Sequence, residues 1–127
     1  MRSTLLALIV LMGPAAAQDL RPGDTPFAPE DLAVALAGTT VEFFDGSKAR
    51  YAGDGSYAYT YTDDGPVWSG RYETAPDSKV CVVFDNGFAR CDTYVMAGER
   101  LTLIIDDGTR FPVRHHGATE GGGAQSR

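Results

Sequence analysis

Turn-forming residues interrupt this chain about every ten residues between Asp45 and Gly108. Between them lie short segments rich in β-branched and aromatic residues, which are typical of strands. Parallel pairing needs long crossover connections, and these turns are too short for them, so neighbouring strands must pair antiparallel. The turn segments are 45–46, 54–55, 63–66, 76–78, 85–87, 97–99 and 106–108.

This punctuation predicts a mainly β fold: an antiparallel eight-stranded meander that curls into a small barrel or a sandwich. Pro112 has no backbone N–H, so we expect it at an edge or a bulge. The predicted strands are TTVEFF, KARY, SYAYTYT, VWSGRYET, KVCVVF, ARCDTYV, RLTLII and TRFPVR.

One short helix is predicted before the first strand. Residues 18–28 contain two X-Pro steps and no periodicity, which indicates an extended lead-in. Proline and acidic residues from Pro29 to Asp31 suit a first helical turn, and Gly38 ends the pattern. We therefore expect residues 29–114 to form a single β domain with an N-terminal helix.

The first residues have the pattern of a secretory signal peptide, predicted as residues 1–17 with cleavage near Ala17. Arg2 precedes an apolar run from Leu5 to Met12, and three small alanines end the segment. The apolar run is shorter than the roughly 20 residues of a transmembrane helix. We expect a periplasmic or secreted protein without membrane insertion.

The charge balance argues against polyanionic partners. The chain has 17 acidic and 11 basic residues, and removal of the segment containing Arg2 leaves 10 basic residues. Nucleic-acid backbones and anionic lipid surfaces attract clustered Lys and Arg, which this chain lacks. No nucleic-acid partner is expected.

Both cysteines belong to one predicted hairpin. A three-residue loop at 85–87 places Cys81 directly opposite Cys91, and such loops end in a left-handed residue, here Gly87. A two-residue turn would instead put the cysteines on opposite faces. Export to an oxidising compartment favours the bond, so we predict a structural disulfide. A redox-active pair would need a C-x-x-C motif or a basic neighbourhood, of which only Arg90 is present.

The polar residues do not predict an enzyme. Nucleophilic catalysis usually needs a histidine base, and His115 and His116 follow the last predicted strand. They begin a Gly-rich segment, 115–127, that we expect to be disordered. The aspartates lie mostly in turns, without the ligand spacing of a calcium loop, and Glu42 and Glu73 are expected at the surface. No catalytic residue, metal ligand or cofactor is predicted.

Aromatic residues are the densest chemical feature. Tyr57, Tyr59 and Tyr61 alternate on one predicted strand, and Trp68 and Tyr72 alternate on the next. Period-two spacing places each set on one face, so together they are a candidate surface for a ligand or partner. The intervening Gly70 leaves room for a group to approach. The alternative is that these rings simply fill the interior.

Three stretches, GSYAYTY, WSGRYET and VCVVFDNGFARC, resemble small, signal-bearing, uncharacterised periplasmic β proteins of bacteria. This resemblance covers roughly Thr39 to Arg114 and implies fold and compartment, without an activity. The predicted barrel also resembles that of lipocalins, although this chain lacks the Gly-x-Trp motif that lipocalins have near their first strand.

A more remote resemblance is to membrane-bound-type lysozyme inhibitors. The segment Ser69–Tyr72 is one residue short of their Ser-Gly motif with its following aromatic, and their Lys-containing second motif has no counterpart among Lys48 and Lys79. An acidic protein would suit a basic lysozyme.

These observations predict an exported, non-enzymatic β domain that binds a small ligand or a protein partner through its tyrosines and tryptophan. The alternatives are a lysozyme-inhibitor-like protein and a purely structural envelope protein. Complete burial of the aromatic residues would remove the site, whereas an open cavity would favour it.

Overall fold

A computed structural model describes residues 20–119, so the predicted signal peptide and residues 120–127 lie outside the described residues. Within this range the chain has nine strands and one helix. They are β1 (Asp24–Pro26), α1 (Pro29–Leu36), β2 (Thr39–Phe43), β3 (Lys48–Tyr51), β4 (Ser56–Thr60), β5 (Trp68–Ala75), β6 (Lys79–Phe84), β7 (Ala89–Ala97), β8 (Arg100–Ile104) and β9 (Arg110–Ala118).

The predicted antiparallel meander is confirmed, and it closes into a barrel. Strands β2 to β9 pair with their neighbours in chain order, and β9 also pairs with β2. Strand β9 changes partner along its length, because residues up to Pro112 pair with β8 and residues from Val113 pair with β2. The register of the β2–β9 pair shifts between Glu42 and Phe43, next to this change. Pro112 therefore lies beside an irregularity, as predicted.

Residues 115–118 do not belong to a disordered tail, and this expectation was wrong. Strand β9 continues to Ala118, with His115 opposite Glu42 and His116 opposite Val41. The first half of β2 needs a partner on this side, because unpaired backbone groups at a sheet edge are costly. Closure of the barrel makes residues 115–118 that partner. Their backbone groups form the pairing, so the polar residues and the glycine among them do not prevent it.

The lead-in contains a short strand that the sequence did not predict. Strand β7 extends beyond β6, and β1 pairs with the free edge from Val95 to Ala97. An ion pair also anchors β1, since Arg110 donates to both carboxylate oxygens of Asp24 at 3.0 and 2.7 Å. The Asp24 side chain is 3% exposed. The lead-in is thus part of the folded domain.

Four hairpins have the same type of three-residue loop. In each, the middle Asp or Asn accepts a hydrogen bond from the backbone N–H two residues later, at 2.8 to 3.0 Å. The third residue is a glycine with φ between 86° and 92°, a left-handed conformation that a Cβ disfavours. The chain's repeated Asp/Asn-Gly pairs therefore fix strand register. These loops are 44–46, 53–55, 85–87 and 106–108.

The predicted disulfide is confirmed. Cys81 pairs with Cys91 in the β6–β7 register, and their sulfurs are bonded. The loop between them is the predicted three-residue loop, in which the N–H groups of Phe84 and Gly87 donate to the carbonyls of Phe88 and Phe84. Val80 and Val82 are buried in the core, so Cys81 between them and Cys91 opposite Cys81 face outward.

Helix α1 packs against the barrel core, where Leu32 and Leu36 are fully buried. It has proline at its first turn with Glu30 and Asp31 beside it, as predicted. The Thr39 hydroxyl donates to the Leu36 carbonyl and joins the helix end to β2. Among the described residues, no helix has the length and apolar character needed to cross a bilayer.

Replacing both cysteines by serine is expected to lower the free energy of unfolding by roughly 2.5 to 3 kcal/mol, because the crosslink closes a loop of about eleven residues in the unfolded chain. Urea denaturation followed by circular dichroism measures the change. Wild-type protein in reducing agent should behave like the variant. An unchanged unfolding midpoint in both would contradict a stabilising role for the bond.

The Asp24–Arg110 pair predicts a dependence of stability on pH. The hydrogen bond from Arg110 lowers the pKa of Asp24 below its ordinary value of 3.8. The stabilisation is therefore present above that value and is lost as pH falls through the lower folded-state pKa. The difference in unfolding free energy between wild type and Asp24→Asn should be constant above about pH 5 and shrink below about pH 4. A difference that stays constant down to pH 2 would contradict this assignment.

Candidate functional site

The barrel encloses a cavity of about 410 Å³ that opens at the end opposite helix α1. Turn or near-turn residues from four hairpins line it, namely Asp45, Tyr61, Asn86 and Ile105. Pockets for small ligands are about 300 to 1,000 Å³ in size. The cavity is therefore large enough for a compact organic molecule.

Four of the five predicted aromatic residues line this cavity: Tyr57, Tyr59, Tyr61 and Trp68. The β4–β5 register places Tyr59 opposite Trp68, which confirms that both strands present these rings on one face. Tyr57 is buried, whereas Tyr61 is 63% and Trp68 45% exposed. Tyr61 follows the end of β4 and lies in the β4–β5 loop. The rings thus extend from the interior to the mouth.

Tyr72 is not part of the lining. Its hydroxyl donates to the Ala52 carbonyl at 2.7 Å, and its ring packs edge-on against Tyr51 with centroids 5.0 Å apart. Sequence periodicity places Tyr72 on the correct face but says nothing of its depth along the strand. Its role in the structure is to pack the core.

Gly70 makes room for backbone. A Cβ built on Gly70 would lie 2.8 Å from the Cα of Phe84 on the adjacent strand β6. The expected space for an approaching group is therefore occupied by the protein itself. Close β5–β6 contact at this point holds Trp68 and Phe84 on neighbouring strands of the cavity wall.

Phenylalanines outside the predicted aromatic set complete the wall. Phe84, Phe88 and Phe111 line the cavity, and Phe88 is 61% exposed. The rings of Tyr57 and Phe84 are 5.7 Å apart, and those of Phe84 and Phe88 are 6.1 Å apart. The signal was present in the hairpin, because Phe84 alternates with Val80 and Val82 in KVCVVF.

An ion pair, Arg90 with Asp92, also lines the cavity. The Nε and Nη2 of Arg90 each donate to a carboxylate oxygen of Asp92 at 2.9 Å. The pKa of Arg90 is raised, mainly by this hydrogen bond. Both residues alternate with Cys91, which faces outward, so the hairpin register already places them inward.

Asp45 carries a second carboxylate at the mouth. Its Oδ1 accepts hydrogen bonds from the backbone N–H of Ser47 at 2.9 Å and from the Ser47 hydroxyl at 2.6 Å. Within residues 20–119, no basic side chain lies within 4.0 Å of Asp45. No ion pair with another side chain of residues 20–119 therefore neutralises the exposed Asp45 carboxylate.

A tyrosine pair lies at the inner side of the cavity. The hydroxyl groups of Tyr51 and Tyr94 are 2.8 Å apart and buried. Burial raises the pKa of both phenols, so both remain protonated. The Tyr94 carbonyl accepts a hydrogen bond from the Ser78 hydroxyl, which in turn accepts from the Phe27 N–H. These contacts connect the cavity wall to the helix end of the barrel.

The histidines and Glu42 lie away from this cavity. His116 Nε2 is 3.1 Å from the Thr39 hydroxyl, and His115 Nε2 is 4.0 Å from Glu42, which also contacts Lys48. Across residues 20–119, the structure has no group of three His, Cys, Asp or Glu side chains placed to hold a metal ion.

Comparisons with protein-family models, with curated proteins and with solved structures find no match to this chain.

The similarity to lysozyme inhibitors stays a prediction. The segment Ser69–Tyr72, which falls one residue short of their motif, lies within β5, where Arg71 donates to the Asp54 carbonyl at 2.8 Å. A lytic assay with purified protein at micromolar concentration is the direct test of inhibition.

The Tyr51–Tyr94 pair predicts unequal costs of single and double substitutions. Tyr94→Phe leaves the buried Tyr51 hydroxyl without its partner and should cost about 1 to 3 kcal/mol of unfolding free energy. The double variant, with both residues changed to Phe, should lose less than the sum of the two single variants. Urea denaturation measures all three, and additive losses would contradict the coupling.

Proposed function

We propose that this chain is an exported, non-enzymatic binding protein whose barrel cavity takes a small, mainly apolar ligand. One observation carries the proposal. Four aromatic residues that the sequence singles out line the same cavity, and two of them, Tyr61 and Trp68, remain exposed at its mouth.

The exposed aromatic rings at the mouth of the cavity favour ligand binding energetically. Tyr61, Trp68 and Phe88 are 63%, 45% and 61% exposed, although burial of such rings is favourable. Large exposed apolar patches mark ligand-binding grooves or interfaces, and these three rings line one cavity. A ligand that covers these three rings recovers the hydrophobic free energy that the folded protein alone leaves unused.

The barrel also supports a preformed site. The walls are hydrogen-bonded strands, and the disulfide holds the β6–β7 hairpin that bears Phe84 and Phe88. Little backbone has to be ordered on binding, which lowers its entropic cost. A purely structural protein would gain more by filling this volume with side chains.

Binding without chemistry fits the polar groups of the cavity. Arg90 is held by Asp92, and the Ser47 hydroxyl donates to Asp45. The described lining contains no histidine to activate a serine. The disulfide is consistent with an oxidising compartment, such as the periplasm or the extracellular space.

The only tryptophan of the chain, Trp68, is a built-in reporter of binding. N-phenyl-1-naphthylamine, a neutral probe with a naphthalene and a phenyl ring, should quench Trp68 emission and bind saturably with one site. Tyr61→Ala should weaken binding about fivefold, because it removes one stacking ring. Titration by probe fluorescence and by calorimetry gives the affinities of wild type and of Tyr61→Ala for the probe.

Phe44→Ala is the matched control. Phe44 is 57% exposed and lies outside the cavity, where Arg100 covers its ring at 5.1 Å. This variant should bind like wild type. Equal losses in both variants would refute the cavity as the site, and no saturable binding to wild type would refute a site for neutral apolar ligands.

A further inference from the structure

We propose that the ligand of this cavity is a small organic cation, such as an alkylated or aromatic ammonium compound. This inference rests on the proposed function and adds the charge of the ligand. It follows from how charges and aromatic rings are arranged at the mouth.

The charges of the lining leave an excess of acid. Arg90 is the only basic residue among the described residues of the lining, and two hydrogen bonds of 2.9 Å commit it to Asp92. Asp45 then remains as a carboxylate without an ion-pair partner within residues 20–119. Asp106, in the adjacent β8–β9 loop, is near enough to Arg90 to contribute to its raised pKa. The mouth is therefore net negative.

The aromatic rings beside this acid are placed for contact with a cation. Tyr59 and Tyr61 pack edge to face, with centroids 4.9 Å apart and planes at 87°, so the ring faces that this contact leaves uncovered are at right angles to each other. Trp68 is opposite Tyr59 on the next strand. Ring faces of Trp and Tyr attract cations, and cages of such rings recognise quaternary ammonium groups.

Asp45 belongs to the same side of the mouth. The β3–β4 register pairs Ala49 with Tyr59, and Ser47, whose hydroxyl donates to Asp45, lies two residues before Ala49. The carboxylate is close enough to Tyr59 to contribute to the raised pKa of its phenol, whose main cause is burial. Asp45 and the Tyr59–Tyr61 pair are thus neighbours.

Anions meet the opposite situation. An anionic ligand would have to compete with Asp92 for Arg90 and approach past Asp45. The chain as a whole has a formal net charge of −6, which repels anions at longer range. Neutral ligands gain the apolar contacts but not the electrostatic term.

Three isosteric probes separate these cases: phenyltrimethylammonium, tert-butylbenzene and benzenesulfonate. They share a benzene ring with a tetrahedral substituent and differ in charge. The cation should bind about fivefold more tightly than the neutral probe, and the sulfonate most weakly. Trp68 fluorescence and calorimetry give the three dissociation constants, and the affinity for the cation should fall as salt is raised.

Asp45→Asn tests the carboxylate without loss of the turn. Asn86 fills the equivalent position in the β6–β7 loop and accepts the same backbone hydrogen bond, so asparagine fits there. The variant should bind phenyltrimethylammonium about threefold more weakly and tert-butylbenzene unchanged. Asp107→Asn is the control, because Asp107 has the same turn role but lies outside the lining.

The outcomes are distinguishable. Tighter binding of the cation, sensitive to Asp45→Asn but not to Asp107→Asn, supports the inference. Equal or tighter binding of tert-butylbenzene or benzenesulfonate overturns it and leaves the proposed binding function standing. Failure of all three probes and of N-phenyl-1-naphthylamine to bind overturns the binding function as well. The wild-type comparison decides the charge preference even if a variant does not fold.

Discussion

A single hydrogen bond, repeated in four loops, sets the geometry on which the cavity depends. An Asp or Asn oxygen accepts the N–H of the residue two positions on, and a left-handed glycine between them turns the chain. A loop of three residues leaves no freedom in strand register, and register decides which face each side chain takes. In the β6–β7 hairpin it sends Cys81 outward to meet Cys91, and it thereby sends Phe84 inward.

The two ends of the barrel differ because only one of them receives a helix. Leu32 and Leu36 fill the end next to α1, and the Tyr51–Tyr94 pair lies between them and the cavity. At the other end, no element among residues 20–119 covers the opening, so that rings such as Trp68 stay partly exposed. An eight-stranded barrel is wide enough to hold one small ligand when its interior is not filled by side chains. The asymmetry of the fold leaves the cavity open at one end.

The strand register and the turns also set the positions of the charged side chains in the barrel. The Arg90–Asp92 pair is oriented inward by the same register that sends the disulfide outward, and it neutralises itself. Asp45 has a turn to hold, yet its position at the mouth leaves a negative charge beside Tyr59 and Tyr61. One residue that the sequence explains as a turn former is therefore also the basis for the proposed charge preference.

The sequence by itself determined the antiparallel strands, the helix that begins at Pro29, the hairpin loop and the Cys81–Cys91 pair, because each depends on local turn chemistry and on periodicity. It also identified the ring-bearing face of β4 and β5, although it gave Tyr72 the same role as Trp68. Only the tertiary structure decided the contacts that close the barrel. The last part of β9, which includes His116, pairs with β2, and β1 pairs with β7. The tertiary structure also decided how deep each inward residue lies, and so which rings line the cavity. Those outcomes depend on contacts between distant segments, for which local pattern carries no signal.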